Sequence, residues 1–359
     1  MGTDSSIAAT GTESSFSPPS GKPALQRDTL FDKMKGLGII LVVLGHLLQV
    51  GSDFDENFAY RLIYAFHMPL FFFISGYVLQ LGLASKNVSP GPFITKKARA
   101  LVVPFLSWYL IFGIWNGIPP GLTLHDYIYR FVLSPDYGLW FLWVLFLCFL
   151  TFLPLVWMQQ KSHRVWHPAL LLLSALSFST IWSLPTGHYG IGLLKSYYFY
   201  FGAGYFLRYW QKHLPGVLTK WWPEICIVGF LLLVPYWNRT DPMPVDPFFR
   251  KHFPKHAVFL IHAFPFVVAL LGIGSVAQIA KAFGDGKAGN WLIWLGRYTL
   301  DIYVIHFCVL RLPFLTMTTD PHDPFVILVR LVWTIAFSLA ISIFFIRRSR
   351  IMSFLFLGL

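Results

Sequence analysis

A chain of 359 residues that is 56% hydrophobic, only 12% charged and of mean hydropathy +0.60 falls outside the soluble globular class, where roughly 25% of residues are charged. Its formal net charge of +12 would suit nucleic acid in a soluble protein. Here the basic residues sit in short loops between apolar runs, so they read as topology signals and no nucleic-acid partner is expected.

Residues 1–27 are rich in Ser, Thr, Gly and Pro and contain no apolar run. They read as a disordered tail, not as a signal peptide, which needs an apolar stretch after a basic start. A helix crosses a bilayer core of about 30 Å with about 20 mostly apolar residues. Such stretches are expected near 35–51, 58–82, 100–118, 138–158, 166–184, 190–208, 222–238, 256–280, 291–312 and 324–346. The expected fold is an all-α polytopic membrane protein of about ten transmembrane helices. One membrane domain fills 28–350, and 351–359 form a C-terminal tail.

The loops alternate in charge. One set carries Lys33, Lys35, Lys96, Lys97, Arg99, Arg208, Lys212, Arg297 and Arg347; the other carries Asp53, Asp55, Glu56, Asp126, Asp136 and Asp241. By the positive-inside rule both termini are cytoplasmic; the expected location is the cytoplasmic (inner) membrane. Cys148, Cys226 and Cys308 each lie in an apolar segment without CxxC spacing, so neither a disulfide nor a metal site is expected.

The first span holds the most informative pattern. His46 follows Lys35 by eleven residues, which places it about 16 Å deeper and within about 20° of the same helix face. Asp32 lies near that face, and Gly36, Gly38 and Gly45 permit close approach of a neighbour. An ionisable group deep in a membrane is a functional candidate by default. The alternative for His46 alone is an imidazole hydrogen-bonded between helices.

The second span adds His67, Pro69, Ser75, Gly76 and Tyr77. Pro69 frees a backbone carbonyl and kinks a helix. The loop after it holds Lys97 and Arg99, which suit phosphate binding or merely anchor the topology. The ninth span contributes Asp301 and His306, two further intramembrane ionisable groups. Trp140, Trp143 and Tyr109 read as packing or interfacial residues.

Three motifs in order, Asp32 to His46, Phe66-His67-Met68-Pro69-Leu70 to Tyr77, and Leu295-Gly296-Arg297-Tyr298 to His306, resemble the acyltransferase 3 family, most of all its fucose 4-O-acetylase-like branch. The resemblance covers about residues 28–346. It implies a ten-helix membrane fold that moves an acyl group, usually acetyl, from cytoplasmic acyl-CoA to a glycan hydroxyl, without a metal. The implied catalytic residue is His46, with Asp32 and Lys35 in support. Lys35 stands where many members have arginine; lysine keeps the charge but loses bidentate geometry. Lys35, Lys97 and Arg99 would hold the donor phosphates, and His67, Ser75, Tyr77, Asp301 and His306 are substrate or structural candidates. The implied acceptor is an exopolysaccharide, its lipid-linked precursor or another surface glycan, with polysaccharide-assembly proteins as possible partners. Tyr60, Tyr64 and Trp140 are candidates to stack on sugar rings. The rival from another class is a glycolipid or proton-coupled transporter, with His46, His67, Asp301 and His306 as a proton path.

Overall fold

The structure, a computed structural model, describes residues 29–49, 54–83, 89–116, 139–161, 189–210, 216–239, 247–312 and 323–359, with isolated positions between them. Among these residues every regular element is helical: α1 (Thr29–Leu47), α2 (Phe58–Tyr64), α3 (His67–Leu83), α4 (Pro90–Asn116), α5 (Trp140–Lys161), α6 (Ile191–Trp210), α7 (Gly216–Leu233), α8 (Pro247–His252), α9 (Pro254–Ala282), α10 (Lys287–Arg297), α11 (Thr299–Leu310), α12 (Pro324–Ile341) and α13 (Arg350–Leu357). The expected span near 166–184 lies outside the described residues except at its last position.

Four described helical segments are long and apolar enough to cross a membrane: Phe58–Gly82, Trp140–Trp157, Leu260–Ala282 and Pro324–Ile346. A fifth is added if the bent pair α10 and α11 counts as one. Large apolar side chains face outward on α12, with Phe325, Leu328, Val332 and Trp333 all exposed, as a lipid-facing helix requires.

The second expected span is two helices. Asn57 caps α2, its Oδ1 accepting from the backbone N–H of Ala59 at 2.9 Å and of Tyr60 at 3.4 Å. The helix stops at Ala65–Phe66, and α3 begins at His67 with Pro69 in its first turn. Proline has no N–H to return to the preceding turn, so a break is cheapest there.

The ninth expected span departs further from a straight helix. α10 and α11 meet at Tyr298 with a 73° bend. The Thr299 hydroxyl donates to the Gly296 carbonyl at 2.8 Å across the bend. Gly296 explains where α10 goes. A Cβ there would overlap the carbonyl of Asp32, and one at Gly36 would overlap the carbonyl of Leu292. Each of α1 and α10 therefore offers a glycine to the other's backbone. The same reciprocal device joins α3 to α6, where Gly76 meets the Phe201 carbonyl and Gly204 meets the Phe73 carbonyl.

α1 is the hub of the bundle and packs against α10, α9, α12, α3 and α11. At the end of the chain, residues read from sequence as a tail form α13. Ser349 caps it, and Gly358 closes it in the left-handed region at φ 67°. The indole of Trp108 in α4 donates to the Phe356 carbonyl at 3.0 Å, which docks α13 onto α4.

Candidate active site

The two ends of α1 carry different chemistry. At its start Asp32 is buried and Lys35 reaches back one turn, with Nζ 2.8 Å from Asp32 Oδ1. Lys33, also buried, pairs with Asp285 at 3.1 Å. At its other end His46 faces a cavity of about 620 Å³. Lys35 and His46 are about 16 Å apart along the axis, so they belong to separate compartments of one face.

The cavity has an aromatic wall built from Tyr64, Trp140, Tyr197, Tyr200, Trp237 and Tyr303. Trp140 and Tyr197 lie 5.0 Å apart, centroid to centroid. Flat π-faces with polar edges of this kind suit a ring that is apolar on one face and hydroxylated at its rim. Arg239 and His262 join the lining. No Asp or Glu is among the described lining residues.

Around His46 the structure gathers several polar groups. Gln49 Oε1 lies 3.0 Å from its Nδ1 and the Tyr64 hydroxyl 3.4 Å. His67 lines the same cavity and donates Nδ1–H to the Ile63 carbonyl at 3.0 Å. The His306 ring lies 5.3 Å from that of His46. His306 donates Nδ1–H to the carbonyls of Tyr303 at 2.7 Å and Ile302 at 3.1 Å. The Tyr60 ring stacks on Tyr64 at 3.9 Å, behind the wall. Of the residues singled out from sequence, His46, His67, Tyr64 and Trp140 thus line the cavity, and His306 stands beside it.

Others lie elsewhere. Asp301 accepts from Arg347 Nε at 2.7 Å and Nη2 at 3.0 Å, and also from the Ser342 hydroxyl. A buried carboxylate so paired ties α11 to the turn after α12. Asp301→Asn is therefore expected to cost about 2 kcal/mol of stability, read as a lower melting temperature in detergent, with turnover per folded molecule kept. Full stability with lost turnover would move Asp301 into the site.

Tyr77 packs on Phe31, with centroids 4.4 Å apart, toward the Lys35 end. Ser75, one turn or less from it on α3, is half-buried. Lys97 Nζ sits 3.7 Å over the Phe149 ring, whereas the Arg99 guanidinium lies 5.2 Å from the Phe354 ring. Two residues apart on a helix is about 200° of rotation, so these two cations point to opposite sides of α4.

Sequence reading passed over Gln49, Arg239 and His262. Gln49 had a signal, since it follows His46 by three and so shares its face. Arg239 had none, because its link to the site is a contact with Tyr60, 179 residues away, where Nη1 donates to the hydroxyl at 3.2 Å.

Residues 29–347 match the family profile described as an acyltransferase domain. The chain is 26% identical over 304 residues to the nodulation protein NolL of Mesorhizobium japonicum, covering 80% of this chain and 77% of that protein. It is 38% identical over 115 residues to the nodulation protein NolL of Sinorhizobium fredii, covering 28% of this chain and 30% of that protein. No solved structure matches.

Proposed function

The chain belongs to the acyltransferase 3 family of membrane acyltransferases, and from that premise we propose that it transfers an acyl group, acetyl in the first instance, from acyl-CoA to a sugar hydroxyl. The acceptor in this reading is an exopolysaccharide, its lipid-linked precursor or another surface glycan. The match of residues 29–347 to an acyltransferase domain supports the acyl-transfer step, and the aromatic wall of the cavity supports a sugar acceptor. The carrying observation is the position of His46, on the inner wall of an aromatic-lined cavity with the Asp32–Lys35 pair at the other end of the same helix.

In this mechanism the sugar enters the cavity against Trp140, Tyr197 and Tyr200. The His46 imidazole takes the proton from the reacting hydroxyl as its oxygen attacks the thioester carbonyl carbon. The tetrahedral adduct collapses with cleavage of the C–S bond. The CoA thiolate leaves and takes the proton back from the imidazolium, so the base is restored and no metal is used.

The donor phosphates belong to the Lys35 end of α1, and the acyl thioester reaches inward along the helix toward His46. The proposal includes the span count of about ten, cytoplasmic termini and residence in the inner membrane. Lys97 and Arg99 are the further candidates for the donor phosphates, and their divergence makes the assignment testable. Because they face apart, alanine at one is expected to raise the KM for acyl-CoA by about tenfold, as loss of a charge-assisted hydrogen bond does, and alanine at the other to leave it nearly unchanged. Equal and negligible effects would return the whole loop to a topology signal.

The direct test is acyl-CoA binding and slow hydrolysis by the wild-type protein purified in detergent. Saturable binding with turnover is the expected result. A folded protein that does neither would turn the reading toward transport.

A further inference from the structure

We propose that Gln49 is the positioning residue for His46, and that Tyr60 and Arg239 hold Gln49 in place for that task. The inference rests on the reading of His46 as the base.

The geometry is a chain of contacts. Gln49 Oε1 is 3.0 Å from His46 Nδ1. The amide nitrogen of Gln49 donates to the Tyr60 hydroxyl at 3.4 Å. The same hydroxyl receives Arg239 Nη1 at 3.2 Å. Tyr60 is fully buried and stacked on Tyr64, so its oxygen is a fixed point. Arg239 is charged at every working pH and keeps that oxygen engaged as an acceptor.

An amide oxygen accepts and cannot donate. His46 must therefore carry its hydrogen on Nδ1 when it bonds Gln49, and the lone pair is left on Nε2. Without Gln49 the partner left at Nδ1 is the Tyr64 hydroxyl at 3.4 Å, which can donate as well as accept and so allows either tautomer. Only the fraction with a lone pair on the reacting nitrogen would then serve as base, which is the job a third group performs in other nucleophile and base arrangements.

The test uses the full chain in proteoliposomes, labelled with 15N-histidine. The His46 signals are assigned by their absence from His46→Ala. Wild type is expected to show the Nδ1–H tautomer. Gln49→Leu is expected to show a mixture, and its kcat for acyl-CoA turnover to fall by at least about tenfold with KM for the donor unchanged. Gln49→Glu keeps an acceptor oxygen and is expected to restore both the tautomer and most of kcat. Tyr60→Phe removes only the distal hydroxyl and should fall between. An Nε2–H tautomer in wild type overturns the proposal, as does full kcat in a folded Gln49→Leu; either result leaves the acyltransferase reading standing. Absence of acyl-CoA binding and turnover in folded wild type instead removes the base itself, and both readings fall together.

Discussion

His46→Ala is expected to lower acyl transfer by about 10²- to 10⁴-fold, the range a positioned general base contributes. Donor binding should survive, because the cations proposed for the phosphates lie a helix length away. The variant should also fold. His46 is only half-buried and projects into a cavity, so truncation enlarges existing space and opens no void in packed core. The measurement is transfer of radiolabelled acetyl from acyl-CoA to a glycan extract by purified protein, with a parallel binding isotherm. A kcat within threefold of wild type would remove His46 from the chemistry. His46→Gln adds a control: it keeps a polar side chain and much of the volume but cannot serve as base, so it should be as inactive as alanine.

Gly296→Ala is the second large effect, and it falls on the protein's existence and not on its chemistry. Glycine to alanine in a helix ordinarily stabilises by up to about 1 kcal/mol. At Gly296 the new methyl would overlap the backbone carbonyl of Asp32. A flexible side chain can yield to such an intruder; a helix backbone cannot without moving α1 or α10 bodily. Overpacking costs about 1–3 kcal/mol and sometimes more, and this seam belongs at the upper end. Gly82→Ala is the matched control, since a Cβ there meets nothing within 4 Å. The expected readout is a collapsed monodisperse yield for Gly296→Ala and a normal or improved yield for Gly82→Ala. Equal yields would mean that the two helices are not held by their backbones.

Much of this was legible in the residues. The apolar runs located the described helices other than α8 and α13, and the eleven-residue interval put Lys35 and His46 on one face of α1. Pro69 marked a discontinuity, and the structure has a break just before it. What escaped was what depends on distant partners. Asp301 reads as an isolated intramembrane charge until Arg347 and Ser342 arrive from more than 40 residues on. The bend at Tyr298 is marked by no proline in the sequence, and the close approach of Gly296 to the Asp32 carbonyl beside it depends on another helix. The cation Lys97 and its neighbour Arg99 looked like a pair by sequence distance, although helix geometry alone already sets them apart. Residues 351–359 read as a tail because a short amphipathic helix is marginal alone; docking on Trp108 makes it a helix.

The meeting of α1 and α10 also has an electrical meaning. Where Gly36 and Gly296 bring two helix backbones together there is no space for a file of water between them. A contact so close has no mobile side chains to act as a dielectric cushion, so the peptide dipoles of the two helices face each other directly across it. The seam therefore fixes the local field at the Asp32–Lys35 pair beside it as firmly as it fixes the packing.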